Sequence, residues 1–243
     1  MGTRNGLNLN WDRYALQGPS WRRGPIDAAP DWHGIPPPEV TAHVATRRGC
    51  DLNPLDPVRD RLRLLSYLWP DQAKRLALPR AALGLTPAPV YRADAGDWLA
   101  GRALLYHGHC HLICHTIDWQ YFPAATAARA RIAIEAAGAA ASAAAPLAWF
   151  GMEGDGRAPG AALTLRLWPG DLRLDLGRVD FHGRWVDWRA PPLALGQAHR
   201  QPFARETGGQ TCAVDPGPAG AERRAGGGRR RAGPPGSARR ATA

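Results

Sequence analysis

The chain has one lysine against thirty arginines, and only four cysteines in 243 residues. Lysine is scarce where alanine, glycine and proline abound, which is the imprint of a GC-rich codon bias. The arginine excess is therefore weak support for a polyanionic partner. Four cysteines (Cys50, Cys110, Cys114 and Cys212) are too few for a disulfide framework in a chain of this length. No charged segment leading into an apolar one opens the sequence, which argues against a secretory signal. The most apolar run, from Ala124 to Ala145, is interrupted by Arg129, Arg131 and Glu135, so it reads as a packed helix rather than a membrane span. These absences together point to a cytoplasmic protein without a membrane partner.

Charge is unevenly distributed. Residues 190–243 carry nine arginines against three acids, six of the ten net positive charges. Their Gly/Ala/Arg/Pro composition suits a solvated, disordered tail. Nucleic-acid binding through it is the less favoured reading. The globular part is expected to be residues 1–189.

What is present begins at once. Met1-Gly2-Thr3-Arg4-Asn5-Gly6-Leu7-Asn8 resembles a glycine loop that lets the backbone approach a ligand closely. Such loops link a buried strand to a helix at the carboxyl edge of a parallel sheet. That strand would have to precede Met1, so the first strand is expected to be missing and the chain to be a truncated fragment. Leu9–Tyr14 suits a helix start, with Asn8 or Asn10 as N-cap. Residues 18–38, rich in Pro, Gly and Trp, read as an ordered loop excursion.

Further along, Glu39–Ala45 suits a strand, and Arg47–Pro54 is a run of turn formers. Asp60–Leu85 has a helical pattern, with Leu62, Leu65, Leu68 and Trp69 on one face and Pro70 and Asp71 at a kink or restart. Strands are expected at Ala88–Arg92, His109–Thr116 and Leu147–Phe150. A helix is expected at Ala124–Ala137, capped by Gly138. Leu163–Leu167, Leu172–Leu176 and Trp185–Trp188 alternate as half-buried antiparallel strands do. The order predicts an α/β fold: a mainly parallel, Rossmann-like sheet finished by a C-terminal antiparallel hairpin.

Four stretches carry a resemblance to a known family. They are Gly6-Leu7-Asn8-Leu9-Asn10-Trp11-Asp12-Arg13-Tyr14, Arg48-Gly49-Cys50-Asp51-Leu52-Asn53-Pro54, Tyr67-Leu68-Trp69-Pro70-Asp71-Gln72 and His115-Thr116-Ile117-Asp118-Trp119-Gln120-Tyr121. Together they resemble DUF2332, a bacterial family without a settled activity, from residue 1 to about Trp188. Its members are similar in layout to class I S-adenosylmethionine-dependent methyltransferases. They usually carry an apolar strand and an acid before the glycine loop, which this chain lacks.

The resemblance implies roles for particular residues. Gly2 and Gly6 would pass under the cofactor's methionine and ribose, with Asn8 at the head of the following helix. Asp51 would accept from the ribose hydroxyls, or else cap the turn ending at Asn53-Pro54. Asp94 would accept from the adenine amino group, or else N-cap the segment from Gly96. His115, at a strand's carboxyl end, would act as general base or orient an acceptor, or else be a satisfied packed histidine. Trp119 and Tyr121 would wall a flat substrate, whereas Trp69, Trp149, Trp168, Trp185 and Trp188 suit core and hairpin packing. The run from His107 to His115 has zinc-type donors, but a strand sends Cys110 and Cys114 to one face and His109, His111 and His115 to the other, so no metal is expected.

The function expected is methyl transfer from S-adenosylmethionine to an unknown acceptor, either a small molecule or a macromolecule. The alternative is a non-catalytic Rossmann-like binding or scaffold module.

Overall fold

A computed structural model describes residues 6–18, 20–26, 30–36, 39, 42–66, 79–102 and 105–190. The chain divides into two units, Met1–Phe203 and Ala204–Ala243. The second unit, the basic tail, Gly2 and the proposed kink at Pro70 and Asp71 with Trp69 all lie outside the described residues.

A 3-10 helix, Leu7–Arg13, opens the described fold. Short strands β1 (Leu16–Gln17) and β2 (Arg22–Arg23) pair antiparallel. Next come β3 (Asp31–Gly34), β4 (Gly49–Asp51), helix α1 (Arg61–Ser66) and β5 (Val90–Arg92). Helix α2 (Ala95–Ala100) leads to β6 (His111–Thr116), and helix α3 (Ala124–Ala140) to β7 (Leu147–Glu153). β8 (Ala161–Trp168), β9 (Leu172–Val179) and β10 (Trp185–Trp188) close the order.

The architecture is mixed α/β, and the mainly parallel Rossmann-like sheet expected from sequence needs correction. One sheet has six strands in the order β3-β10-β9-β8-β7-β6, and β4 and β5 form a separate two-stranded sheet. Within the six, β7–β8, β8–β9 and β9–β10 pair antiparallel, while only β6–β7 and β3–β10 are parallel. The physical reason is connection length. A parallel partner needs a crossover, and α3 supplies one between β6 and β7. Connections of seven, three and five residues join β7 through β10, too short for a crossover, so each strand reverses its predecessor. The expected hairpin is thus a meander that makes up most of the sheet.

Two local expectations also change. Residues 42–45 are not strand, and the strand lies at Gly49–Asp51, inside the run read as turn formers. The loop excursion of residues 18–38 contains β2 and β3, and β3 pairs with β10 as an edge strand.

The core has two main clusters and a smaller one of Leu55, Leu64 and Leu83. Thr126, Ala130, Ile134, Ala137 and Gly138 form the buried stripe of α3, at helical spacings. That stripe packs with Cys50, Leu99, Ile113, Leu147 and Trp168. Ile134 and Leu147 are wholly buried, worth about 1.5–3 kcal/mol each relative to exposure. Gly138 does not end the helix as expected. It lies within α3, where a Cβ would come 2.5 Å from the Trp168 ring. A second cluster, Ala161, Leu163, Leu176, Val179, Val186 and Ala190, receives Trp32 and Trp188, whose rings lie 5.6 Å apart. Among the described residues no helix is long and apolar enough to cross a membrane.

Candidate functional site

Among the described residues, two of the three parallel strand pairs run in register to polar carboxyl ends. β4 and β5 end together at Asp51 and Arg92, and β6 and β7 align Thr116 with Met152, one residue before Glu153. Carboxyl ends of parallel strands are where α/β proteins collect ligand-binding groups.

The opening 3-10 helix connects these two edges. Gly6 precedes it at φ +70°, where a Cβ would lie 2.9 Å from Val90 Cγ2 and 3.1 Å from the Ala88 carbonyl oxygen. A left-handed conformation and a close neighbour both favour glycine here. Asn8 donates from Nδ2 to Thr116 Oγ1 at 3.1 Å, which joins the segment to the end of β6. Arg47, just before β4, donates to both carboxylate oxygens of Asp12 at 2.6 and 2.9 Å, to the Leu9 carbonyl and to Asn10 Oδ1. The Arg47 hydrogen bond outweighs burial and holds the Asp12 carboxyl below its ordinary range. Neither Asn8 nor Asn10 caps the helix, since Gly6 holds that position without a side-chain cap.

Asp51 and Asp94 follow β4 and β5. Asp51 Oδ1 accepts from the Asn53 N–H at 2.7 Å, so it caps its turn, and its carbonyl accepts from Ala93. Asp94 N-caps α2 through the Gly96 and Asp97 N–H groups. It also accepts from Thr126 at 2.6 Å and from Arg129 at 2.9 Å. Burial pushes the Asp94 carboxyl up, but these donors together hold it below the usual carboxylate range. Cys50 lies buried among these groups. Desolvation, reinforced by the Asp51, Asp94 and Asp118 carboxylates, pushes its thiol up to about 11. The three acids therefore bear on one region.

His115 is buried on β6 over Gly151 of β7, its registered neighbour. Its Nδ1 lies 2.7 Å from Glu153 Oε1. That oxygen also accepts from the backbone N–H groups of Asp118 and Trp119, at 3.1 and 3.0 Å. Ile117, between β6 and these donors, has φ +53°, a sharp and costly turn for a β-branched residue. The turn brings both N–H groups round to the carboxylate. Burial raises the Glu153 pKa, yet the His115, Trp119 and Asp118 hydrogen bonds outweigh it and hold the group ionised below its ordinary range. The His115 ring stands 5.0 Å from that of Trp119 and 6.0 Å from that of Trp149, and Arg131 stacks on both indoles.

Of the predicted residues, Asn8 thus reaches the end of β6 and Trp119 stands beside His115, while Asp51 and Asp94 follow β4 and β5 and Gly6 lies at the start of β5. Tyr121 is 74% exposed and makes no ring contact among those described. Trp168 fills the core as expected, whereas Trp149 also borders His115. Glu153 and Asp118 were missed. Glu153 was legible only by extending the Leu147 strand three residues past Phe150 to its acid. Among the described residues no group of three His, Cys, Asp or Glu side chains is placed to hold a metal ion. An open groove of about 690 Å³ between Arg47 and His109 is lined by none of the predicted site residues.

Fold and site together define a mixed α/β protein with a polar site at its parallel strand ends. The model of DUF2332, described as an uncharacterized protein conserved in bacteria, matches residues 1–188, and the chain belongs to that family. No curated protein and no solved structure matches the chain.

Proposed function

We propose that the strand-end site takes S-adenosylmethionine and that the protein transfers its methyl group to an acceptor held near His115. The observation that carries this reading is the bridge made by the opening segment. Gly6 lies against the β5 strand and Asn8 reaches Thr116, with Asp51 at the neighbouring strand end. Gly6 permits the left-handed turn that seats this segment against Ala88 and Val90. Asp51, at the end of β4, is the acid assigned to a ribose diol in this reading. Asp94 is occupied by four donors and serves through the helix it caps. When bound, the cofactor would supply an activated methyl group, and the protein would position and shield the acceptor.

The test is calorimetric titration of the folded chain with S-adenosylhomocysteine. Saturable heat is expected, with Asp51→Ala weakening affinity at least tenfold, about 1.4 kcal/mol. No heat from protein shown to be folded rejects the reading. One observation favours a second reading, a non-catalytic binding module: Asp51 and Asp94 already accept hydrogen bonds from the fold itself. Binding without methyl transfer to any protic acceptor tried would favour that module.

A further inference from the structure

Of the four polar residues buried among those described, His115 alone is an ionisable base. Its partner Glu153, kept ionised, can only accept, so the proton of a neutral His115 sits on Nδ1. Nε2 is then the bare nitrogen. It makes no hydrogen bond among the described residues, yet the sealed polar atoms without a partner there are Trp149 Nε1 and Glu153 Oε2 only. Nε2 is not among those sealed atoms, although the His115 side chain is only 6% exposed. It lies on the Gly151 side of the ring, where a Cβ would come within 3.2 Å.

We propose that Glu153 is a positioning residue that fixes the Nδ1–H form of His115 and leaves Nε2 as proton acceptor, so that the methyl acceptor is a hydroxyl or a protonated nitrogen. The proposal rests on the methyltransferase reading. As an electron pair of the acceptor atom forms its bond to the methyl carbon, the S–C bond breaks and its pair stays on sulfur, leaving a thioether. The acceptor's proton passes to Nε2, and the imidazolium that results faces the Glu153 carboxylate. An acceptor with no proton to lose would gain nothing from this pair.

The test is long-range ¹H–¹⁵N correlation at pH 8 on the full chain labelled at histidine, with His115→Gln assigning the signal. Protonated Nδ1 and bare Nε2 are expected in the wild type and in Glu153→Gln, whose amide oxygen can still accept. Glu153→Ala should shift the pair toward the Nε2–H form. A wild-type ring protonated on Nε2 overturns the proposal, whether or not Glu153→Ala folds. So does an Ala variant that folds and keeps the wild-type pattern. The measurement needs no cofactor. A failure here beside saturable S-adenosylhomocysteine binding rejects the pair alone, and the reverse outcome rejects the proposed function.

Discussion

The two halves of this protein use their acids differently. In the meander β8–β10 and its turns, each ion-paired carboxylate is tied to a nearby arginine: Asp155 to Arg178, Asp171 to Arg166, Asp180 to Arg184 and Asp187 to Arg189. The arginine partners hold the Asp155 and Asp171 carboxyls down to about 2. At the parallel strand ends, the acids instead accept from backbone N–H groups, a threonine and a histidine, with Arg129 the one cation among these contacts. A carboxylate neutralised by arginine fastens a turn. One held by neutral donors keeps its field for whatever arrives. Arginine fastens the first half, and neutral donors hold most of the acids in the second.

Damage to the meander should lower stability and leave His115 alone. The largest effect is expected from Gly177→Ala. Gly177 has φ +115°, and a Cβ there would lie 2.0 Å from the Asp187 carbonyl oxygen of the paired strand. Strain and overlap together should cost about 3 kcal/mol or more, measured by urea unfolding. The nitrogen shifts of His115 should not move in the folded fraction. If they do, the two halves are not separable.

Asp180→Ala should come next. The carboxylate is buried and accepts from the His182 and Arg184 N–H groups and from the Arg184 guanidinium. Its loss leaves two turn donors without an acceptor, about 2 kcal/mol in all. The Arg184 hydrogen bond, the largest influence, holds the Asp180 carboxyl well below its ordinary value. A carboxyl depressed in the fold stabilises fully above its unfolded value, near 4, and that contribution is lost as pH falls through the folded one. Wild-type unfolding free energy should therefore fall more steeply below about pH 4 than that of Asp180→Ala. Parallel acid limbs would show that Arg184 does not hold the group.

The sequence was informative where a side-chain rhythm exists and uninformative where pairing is set at long range. Alternation located β8, β9 and β10, because one face of each meets the Leu163, Leu176 and Val186 cluster. The 3.6-residue spacing located α3, although Gly138 misled at its end because its missing side chain accommodates Trp168. β3 could not be read, since its partner β10 lies some 150 residues away and its own burial is slight. β4 has three residues, too few for a rhythm, amid turn formers. His115 showed as the end of an apolar strand. Glu153 did not, because its role depends on the β6–β7 register and on the left-handed turn at Ile117.

The smallest change in stability should give the largest change at the site. Gly151 has ordinary backbone angles, but a Cβ there would stand 3.0 Å from His115 Cε1 and from Thr164 Oγ1. These neighbours must give by a few tenths of an ångström, which costs about 1 kcal/mol. The imidazole is expected to tilt, because the Cβ would crowd two of its atoms, Cε1 at 3.0 Å and Nε2 at 3.2 Å, against one of Thr164. Tilting lengthens the 2.7 Å contact between Nδ1 and Glu153, and a charge-assisted hydrogen bond weakens quickly with distance. Gly151→Ala should thus unfold at nearly the wild-type urea concentration while losing the downfield Nδ1–H proton signal of His115. A variant that keeps the signal would mean that the ring is held by Trp119 and Trp149 rather than by the carboxylate, and the contrast between the two halves would then rest on packing instead of on charge.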